Sequence, residues 1–322
     1  MNIVWLVAGL VLILGGANAL TDGSSAIARK MGISDLVVGL TVVAFGTSAP
    51  ELAISVLSAI SGNAPLAVGN VVGSNIFNIL AIIGVTALVR PIVVSKSVMT
   101  MEIPMVILSS AILLVLGNSG RIDGGGANMV SRVDGIFLLV FFLLFMRYTF
   151  ASARQPELSE GTAEEQKPAA IMPMWKSAVY VLAGLAALVW GGDRFVDGAS
   201  GIASGLGVSQ AVIGLTIVAA GTSLPELATS VVAAAKGKPG LAVGNVIGSN
   251  IFNVLLVLGL SATITPLSFG AIGNLDLLTL MGASVAFYIF GWFFDKRTIN
   301  RAEGAVLALG YAAYIAVLLS RL

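Results

Sequence analysis

The chain has 322 residues, of which 57% are hydrophobic and 10% are charged, and its net charge of +1 does not indicate a charged partner such as nucleic acid. The mean hydropathy of +1.00 excludes an ordinary soluble domain and indicates a chain that crosses a membrane repeatedly. The absence of cysteine and histidine excludes disulfides, thiolate sites and imidazole ligands, so any cation site must use oxygen ligands, which suit hard ions such as Ca2+ and Na+.

Apolar stretches predict an all-α integral membrane protein with ten membrane-spanning helices. The expected ranges are 2–29, 34–61, 66–89, 97–117, 133–153, 173–204, 209–236, 241–264, 274–294 and 302–320. The first stretch contains Ala17-Asn18-Ala19, which resembles a signal-peptide cleavage site. No basic residue precedes it, however, and its pattern recurs mid-chain, where a signal peptide cannot lie. We therefore expect residues 3–30 to remain as the first helix.

A polar segment follows the fifth predicted helix. Residues 154–170 are rich in Glu, Pro and Ser and have little to bury, which is typical of a flexible linker. An acidic metal site is the alternative, but we favour the solvated linker; the acids concerned are Glu157, Glu160, Glu164 and Glu165. The expected organisation is a first five-helix half at 1–153, a linker at 154–172 and a second five-helix half at 173–322.

The two halves are near-copies of one sequence. Residues 39–53 and 214–228 match at 12 of 15 positions, and residues 66–80 and 241–255 match at 13 of 15. Both pairs are offset by 175 residues, which indicates one duplicated unit. Because each half contains five helices, an odd number, the second half must enter the membrane in the opposite orientation. This inverted repeat is typical of secondary transporters.

The distribution of basic residues predicts the orientation. With an external N-terminus, 13 of the 17 Lys and Arg residues fall in cytoplasmic segments. The positive-inside rule then places both termini outside and the linker in the cytoplasm.

The segment Gly46-Thr47-Ser48-Ala49-Pro50-Glu51 predicts a break in the second helix, and its copy Gly221-Thr222-Ser223-Leu224-Pro225-Glu226 predicts one in the seventh. Proline removes a backbone donor and clashes with the preceding turn, so nearby carbonyls should lack helical partners. These carbonyls belong to Ala44, Gly46 and Thr47. A carboxylate at bilayer depth costs about 2.5–3.5 kcal/mol on insertion scales and needs a partner or a cation. A packing kink with inter-helix hydrogen bonds is the alternative, but it does not explain two copies that each end in an acid.

A second motif occupies the third and eighth predicted helices. It reads GNVVGSNIFN from Gly69 and GNVIGSNIFN from Gly244. Its glycines allow close helix packing. We expect the two glutamate-bearing motifs to meet about a pseudo-twofold axis and form a central pocket. Ser74 and Asn78 share one helix face, as do Ser249 and Asn253, and we expect these faces to line that pocket. The remaining amides can bond either broken backbone or an ion, and the sequence leaves both open; they are Asn70, Asn75, Asn245 and Asn250.

Other acids fall near predicted helix ends, where capping or solvation is the expected role. They are Asp22, Glu102, Asp193, Asp197 and Asp276.

The paired GTSAPE and GTSLPE segments, each followed by GSNIFN, resemble the calcium/cation antiporter superfamily, and most closely its prokaryotic sodium/calcium exchanger branch. The resemblance covers the whole chain. It implies a transporter rather than an enzyme, located in the cell (inner) membrane, with Ca2+ and Na+ as substrates and no cofactor. It further implies alternating access, in which the first and sixth helices slide as a gating pair. A complete site within one chain makes a monomer sufficient.

The resemblance also implies a ligand set. Ca2+ ligands fall on Glu51, Glu226 and the carbonyls of Thr47 and Thr222. Na+ ligands fall on the carbonyls of Ala44 and Ala219 and on the hydroxyls of Ser48, Ser223, Ser74 and Ser249. Asn78 and Asn253 line the centre, where potassium-dependent relatives carry an acid at one position. With asparagine at both, the site charge is near −2, and K+ dependence is not expected.

Three other functions stay open from sequence. An H+/Ca2+ exchanger on the same fold would use the two glutamates as proton carriers. A cation channel would need no counter-ion, and a receptor or scaffold would tolerate loss of both glutamates.

Overall fold

The computed structural model describes residues 1–153, 172–208, 213, 217, 219–294 and 297–321, and most of this part of the chain is helical. Its helices are α1 (Asn2–Met31), α2 (Asp35–Thr47), α3 (Ala49–Ile60), α4 (Ala64–Val89), α5 (Val98–Leu116), α6 (Ser119–Ile122), α7 (Arg132–Ser152), α8 (Met174–Gly205), α9 (Ala219–Gly221), α10 (Leu224–Ala235), α11 (Pro239–Ile264), α12 (Asn274–Phe293) and α13 (Arg301–Leu319). The connections contain the two-residue strands β1 (Ile92–Val93), β2 (Met129–Val130), β3 (Leu267–Ser268) and β4 (Thr298–Ile299). The predicted linker, apart from residue 172, lies outside the described residues.

Eight of the described helices are long and apolar enough to cross a membrane, namely α1, α4, α5, α7, α8, α11, α12 and α13. The pair α2 and α3 forms a ninth candidate span, which bends by 47° at Ser48. The prediction of an all-helical membrane protein is confirmed. The predicted seventh helix falls partly on residues 209–212, 214–216 and 218, which lie outside the described part, so the count of ten stays a prediction.

The centre of the protein is built from α4 and α11. In their most apolar windows, 83% and 94% of the residues are buried, against 17% for α13 and 22% for α7. A helix that is buried on all sides is apolar or small over most of its length, and both helices contain the repeated glycine-rich motif. These two helices therefore form the scaffold on which the broken helices rest.

The two longest helices, α1 and α8, pack antiparallel through glycines spaced seven residues apart. A methyl group added at any of them would come within 2.9 Å of a backbone atom of the other helix; they are Gly9, Gly16 and Gly23 on α1 and Gly184, Gly191 and Gly198 on α8. Small residues let helix backbones approach closely, and in lipid this packing replaces the hydrophobic drive available in water. The two helices consequently form one tightly joined pair.

Short strands join the two halves reciprocally. The strand that follows α4, β1, pairs with β4, which precedes α13, and Ile92 lies opposite Ile299. The strand that follows α11, β3, pairs with β2, which precedes α7, and Val130 lies opposite Leu267. Each of the two small sheets thus contains one strand from each half. This pairing holds the ends of the central helices in register.

Candidate functional site

The two glutamates sit in the first turn of the helices that follow the breaks. Pro50 and Pro225 occupy the second helical position of α3 and α10, where a missing backbone N–H costs nothing, and each glutamate comes next. The exposed fractions of Glu51 and Glu226 are 0% and 1%. Both carboxylates are therefore held inside the protein and away from lipid.

Each glutamate contacts the serine at the break of the other half. Ser223 Oγ donates to Glu51 Oε1 at 3.0 Å, and Ser48 Oγ donates to Glu226 Oε1 at 3.1 Å. On α4, Ser74 Oγ lies 3.4 Å from the same Glu51 oxygen and 3.2 Å from Ser223 Oγ. The two acidic motifs therefore lie in contact with each other, as predicted.

Several buried oxygens at this centre have no hydrogen-bond partner within the described part of the chain. They are Oε2 of Glu51, Oε2 of Glu226, Oδ1 of Asn78, Oδ1 of Asn253 and Oγ of Ser249. Buried polar atoms are normally paired, so a cluster of orphaned acceptors calls for an explanation. All of them are oxygens, and two belong to carboxylates, which is the ligand chemistry of Ca2+ and Na+. Among the described residues no group of three or more His, Cys, Asp or Glu side chains gathers, so the site carries two acids.

The amides Asn78 and Asn253 lie in π-helical stretches at Phe77–Ile82 of α4 and Phe252–Leu258 of α11. Such stretches often mark functional sites, because they turn side chains away from the regular helical face. Asn253 Nδ2 donates to Asn75 Oδ1 at 3.0 Å, which leaves Asn253 Oδ1 as the atom available to a ligand. Sequence periodicity located these asparagines but could not foresee the π-helical turns.

The other four amides each donate to a backbone carbonyl. Asn70 and Asn245 donate to backbone carbonyls of the glutamate-bearing helices, at 3.2 and 3.3 Å. Asn75 Nδ2 donates to the carbonyl of Asn250 on the opposite half at 3.2 Å, and Asn250 Nδ2 donates to Val246 O in its own helix. All four amide groups therefore donate to backbone carbonyls, while Oδ1 of Asn250 has no hydrogen-bond partner among the described residues. The sequence did not indicate that Asn75 would join α4 to α11.

One predicted detail is wrong. The carbonyl of Ala44 does not lose its helical partner at the break, because Ser48 N–H donates to it at 3.0 Å. The chain stays helical through Thr47, and the break falls at Ser48 itself, where φ and ψ are −84° and 7°. Pro50 has no N–H group to donate to the carbonyl of Gly46. The proline therefore affects a carbonyl two residues after Ala44.

Three further candidates lie close to the two breaks in the chain. Thr47 is fully buried, and its Oγ1 donates to Asn245 Oδ1 of the other half at 3.1 Å. Thr222 is half-buried between α9 and α10, and Ala219 begins α9.

The other acids divide between the expected capping or solvated roles and ion pairs. Asp22 pairs with Lys236 at 2.8 Å and with Lys238 at 3.7 Å, and burial lowers the pKa of Lys238. Asp197 pairs with Arg194 at 3.3 Å, and Asp276 caps α12 by accepting from Gly273 N–H. Asp193 is exposed. Glu102 is an exception because it is 3% exposed, with Ser97 and Tyr148 nearby.

Comparison with known proteins gives a consistent result. The family described as "Sodium/calcium exchanger protein" matches residues 1–151 and 176–320. The putative antiporter CaxA of Alkalimonas amylolytica is 41% identical over 98% of both chains, and the inner membrane protein YrbG of Escherichia coli (strain K12) is 35% identical over 97% of this chain and 95% of its own. A solved structure of the sodium-calcium exchanger NCX_Mj superposes with a TM-score of 0.82 at 32% identity, covering 98% of this chain and 97% of that one.

Proposed function

The chain belongs to the sodium/calcium exchanger family, and from that premise we propose that it exchanges Na+ for Ca2+ across a membrane by alternating access. The chain is a multi-pass membrane protein of an antiporter family. The observation that carries the proposal is the reciprocal contact of Ser48 with Glu226 and of Ser223 with Glu51, within a cluster of orphaned acceptor oxygens.

The proposed Ca2+ site uses both glutamates and the carbonyls of Thr47 and Thr222. Their oxygens, with the neighbouring amides, can approach the six to eight ligands that Ca2+ takes. The proposed Na+ sites share the glutamates and add neutral oxygens from the carbonyls of Ala44 and Ala219 and the hydroxyls of Ser48, Ser223, Ser74 and Ser249. Asn78 and Asn253 offer their Oδ1 atoms to the centre.

Shared ligands account for exchange rather than cotransport. Two carboxylates give the site a charge near −2, which one Ca2+ or two Na+ neutralise. Because both ions need the same glutamate oxygens, binding of one opposes binding of the other. An unoccupied pair of carboxylates is costly to bury, so the occluded state is reached readily only with a cation bound. The transporter then changes sides loaded with either ion, which couples the two fluxes.

We further propose the complete topology. Ten spans in two inverted halves, 1–153 and 173–322, would place Glu51 and Glu226 about a pseudo-twofold axis. The excess of basic residues on one side puts both termini outside and the linker in the cytoplasm. The name of the relative YrbG supports the inner membrane of a bacterial cell as the location. Since both halves of the site lie in one chain, one copy suffices for transport.

A flux assay tests the coupling ion. The purified chain is reconstituted into liposomes loaded with NaCl, and 45Ca2+ uptake is followed after dilution into choline chloride. We expect uptake to require the outward Na+ gradient and to be insensitive to a pH gradient. Uptake driven by a pH gradient alone would assign H+ as the coupling ion, and Ca2+ flux with no counter-ion would assign a channel. Either result contradicts the proposal.

A further inference from the structure

Two asparagines hold the glutamate-bearing helices in the same way in both halves. Asn70 Nδ2 lies 3.2 Å from the carbonyl oxygen of Glu51 and 3.0 Å from Ser55 Oγ. Asn245 Nδ2 lies 3.3 Å from the carbonyl oxygen of Glu226 and 3.0 Å from Ser230 Oγ. One amide group thus bonds two acceptors on the neighbouring helix, and the arrangement occurs twice.

The position of these bonds explains why they matter. The bend of 47° separates α3 from α2, so no continuous helix fixes the rotation of α3 about its axis. The amide from α4 bonds α3 at the backbone of Glu51 itself. A rotation of α3 that turned the carboxylate out of the pocket would break this bond. Asn245 of α11 likewise bonds α10 at the backbone of Glu226.

Asn245 has a further contact that crosses between the halves. Its Oδ1 accepts from Thr47 Oγ1 at 3.1 Å, while its Nδ2 serves Glu226 and Ser230. The side chain is fully buried, and an amide has two N–H donors and one acceptor oxygen to offer. Both donors and the acceptor oxygen are therefore engaged by protein, which argues against a role as an ion ligand.

We propose that Asn70 and Asn245 are positioning residues that aim the two glutamates at the ion site, and that Asn245 couples Glu226 to Thr47 of the other half. This inference rests on the proposed function, because it concerns how the proposed Ca2+ ligands are held. Asn245 would keep a carboxylate of one half and the Thr47 carbonyl of the other at a common distance from the ion.

The test is equilibrium 45Ca2+ binding to the purified, folded chain, carried out with Asn245→Ala, Asn70→Ala and matched controls. A buried carbonyl left without its extra donor costs enough to weaken binding by about tenfold, so we expect the half-saturating Ca2+ concentration to rise by that factor. The controls Ser230→Ala and Ser55→Ala remove only the second acceptor and keep the bond to the glutamate backbone. They should change half-saturation by less than about threefold.

The coupling is tested with Thr47→Val alone and combined with Asn245→Ala. Both changes remove the same contact, so the double variant should bind Ca2+ only slightly more weakly than Asn245→Ala alone. Thr47→Ser, which keeps the hydroxyl, should restore most of the affinity. Additive losses would overturn the coupling.

The outcomes separate this inference from the proposed function. If the unchanged chain binds Ca2+ and Asn245→Ala binds it equally well, or no worse than Ser230→Ala, the positioning role is wrong while the proposed function stands. A purely structural role would lower thermal stability and yield without raising half-saturation in the protein that folds. If the unchanged chain binds no Ca2+, the proposed function fails and this inference fails with it.

Discussion

The hydroxyl of Ser223 lies 3.0 Å from Oε1 of Glu51, although 172 positions separate the two residues in the chain. The reciprocal contact, from Ser48 to Glu226, measures 3.1 Å. Each acidic side chain therefore accepts a hydrogen bond from a hydroxyl of the opposite half. The consequence is that ion binding should depend on both halves at once, which the following changes test.

Replacing either glutamate by glutamine should abolish Ca2+ transport. Glu51→Gln or Glu226→Gln keeps the side-chain shape but removes half of the fixed charge, and one carboxylate cannot neutralise a divalent ion. Ca2+ at 100 times its dissociation constant should stabilise the unchanged chain by about 2.7 kcal/mol and leave these variants unaffected. Thermal unfolding in detergent with and without CaCl2 measures this, alongside 45Ca2+ flux.

The exposed Asp123 provides the matched control for charge. Asp123→Asn should retain both flux and stabilisation by Ca2+. Near-normal transport in the two glutamate variants would count decisively against the proposed site.

Removing the hydroxyls that bond across the two halves should raise the half-saturating Na+ concentration more than the half-saturating Ca2+ concentration. Ser48→Ala and Ser223→Ala each delete one proposed Na+ ligand and one hydrogen bond to a carboxylate, while the proposed Ca2+ ligands remain. We expect the half-saturating Na+ concentration to rise about fivefold to tenfold in each variant, as for the loss of one hydrogen bond that contributes about 1 to 1.4 kcal/mol. Flux measured against internal Na+ concentration gives this value.

A buried serine elsewhere serves as the control for these two variants. Ser109 Oγ donates to Val106 O within α5 and is equally buried. Ser109→Ala should leave the Na+ dependence unchanged. Equal effects of all three changes would mean that the cross-half hydroxyls hold no ion.

The sequence predicts the parts of this site that duplication and polarity reveal. Two acids repeated in one apolar frame predict Glu51 and Glu226 at a common centre, and Pro50 with Gly46 predicts the broken second helix. Helical periodicity shows which residues share a face, but it does not show which faces meet. The bond from Asn75 to Asn250 depends on how α4 and α11 cross, and the bond from Thr47 to Asn245 depends on how α2 meets α11, so both are visible only in three dimensions.

Very short elements escape prediction for a different reason. The strands β1 to β4 contain two residues each, which is too short for an alternating pattern to register. Their pairing depends on connections brought together by the helices. The break at Ser48 likewise falls later than the sequence predicts. The residues before Pro50 keep their backbone N–H groups, so the turn before the proline can stay helical.

The glycine packing of α1 against α8 predicts a sharp contrast between two adjacent positions. A methyl group at Gly16 would lie 2.7 Å from the carbonyl oxygen of Gly184, whereas one at Gly15 meets nothing within 4 Å. Overpacking of this kind costs about 1–3 kcal/mol. Gly16→Ala should therefore lower the apparent Tm, and Gly15→Ala should leave it unchanged or raise it, since alanine favours a helix over glycine.

Thermal unfolding of both variants in one detergent measures this contrast directly. Gly191→Ala on the facing helix should resemble Gly16→Ala, because its methyl would lie 2.9 Å from Ile13 N. Equal Tm values at positions 15 and 16 would show that the two helices pack less closely than described.

The ion pairs of Asp22 with Lys236 and Lys238 should hold the end of α10 against α1. The two helices also share an apolar contact that includes Ala17, Leu20, Ala233 and Ala234, and the nearby Thr229 is fully buried. Because the chain has no cysteine, Thr229→Cys provides a single thiol whose reactivity reports local opening. Partly exposed ion pairs contribute about 0.2–1 kcal/mol. Replacing both lysines, by Lys236→Gln and Lys238→Gln, should therefore speed modification of the introduced thiol about twofold to fivefold.

The measurement is the rate at which a charged, membrane-impermeant thiol reagent modifies this cysteine in proteoliposomes. Raising the ionic strength with choline chloride should speed the reaction in the variant that keeps both lysines, since salt screens exposed charges, and should affect the double lysine variant less. Arg194→Gln is the control, because Arg194 pairs with Asp197 within α8 and contacts the ring of Trp5 on α1, so it does not join α10 to α1. If the lysine changes alter the rate no more than Arg194→Gln does, the apolar contact alone holds α10 to α1.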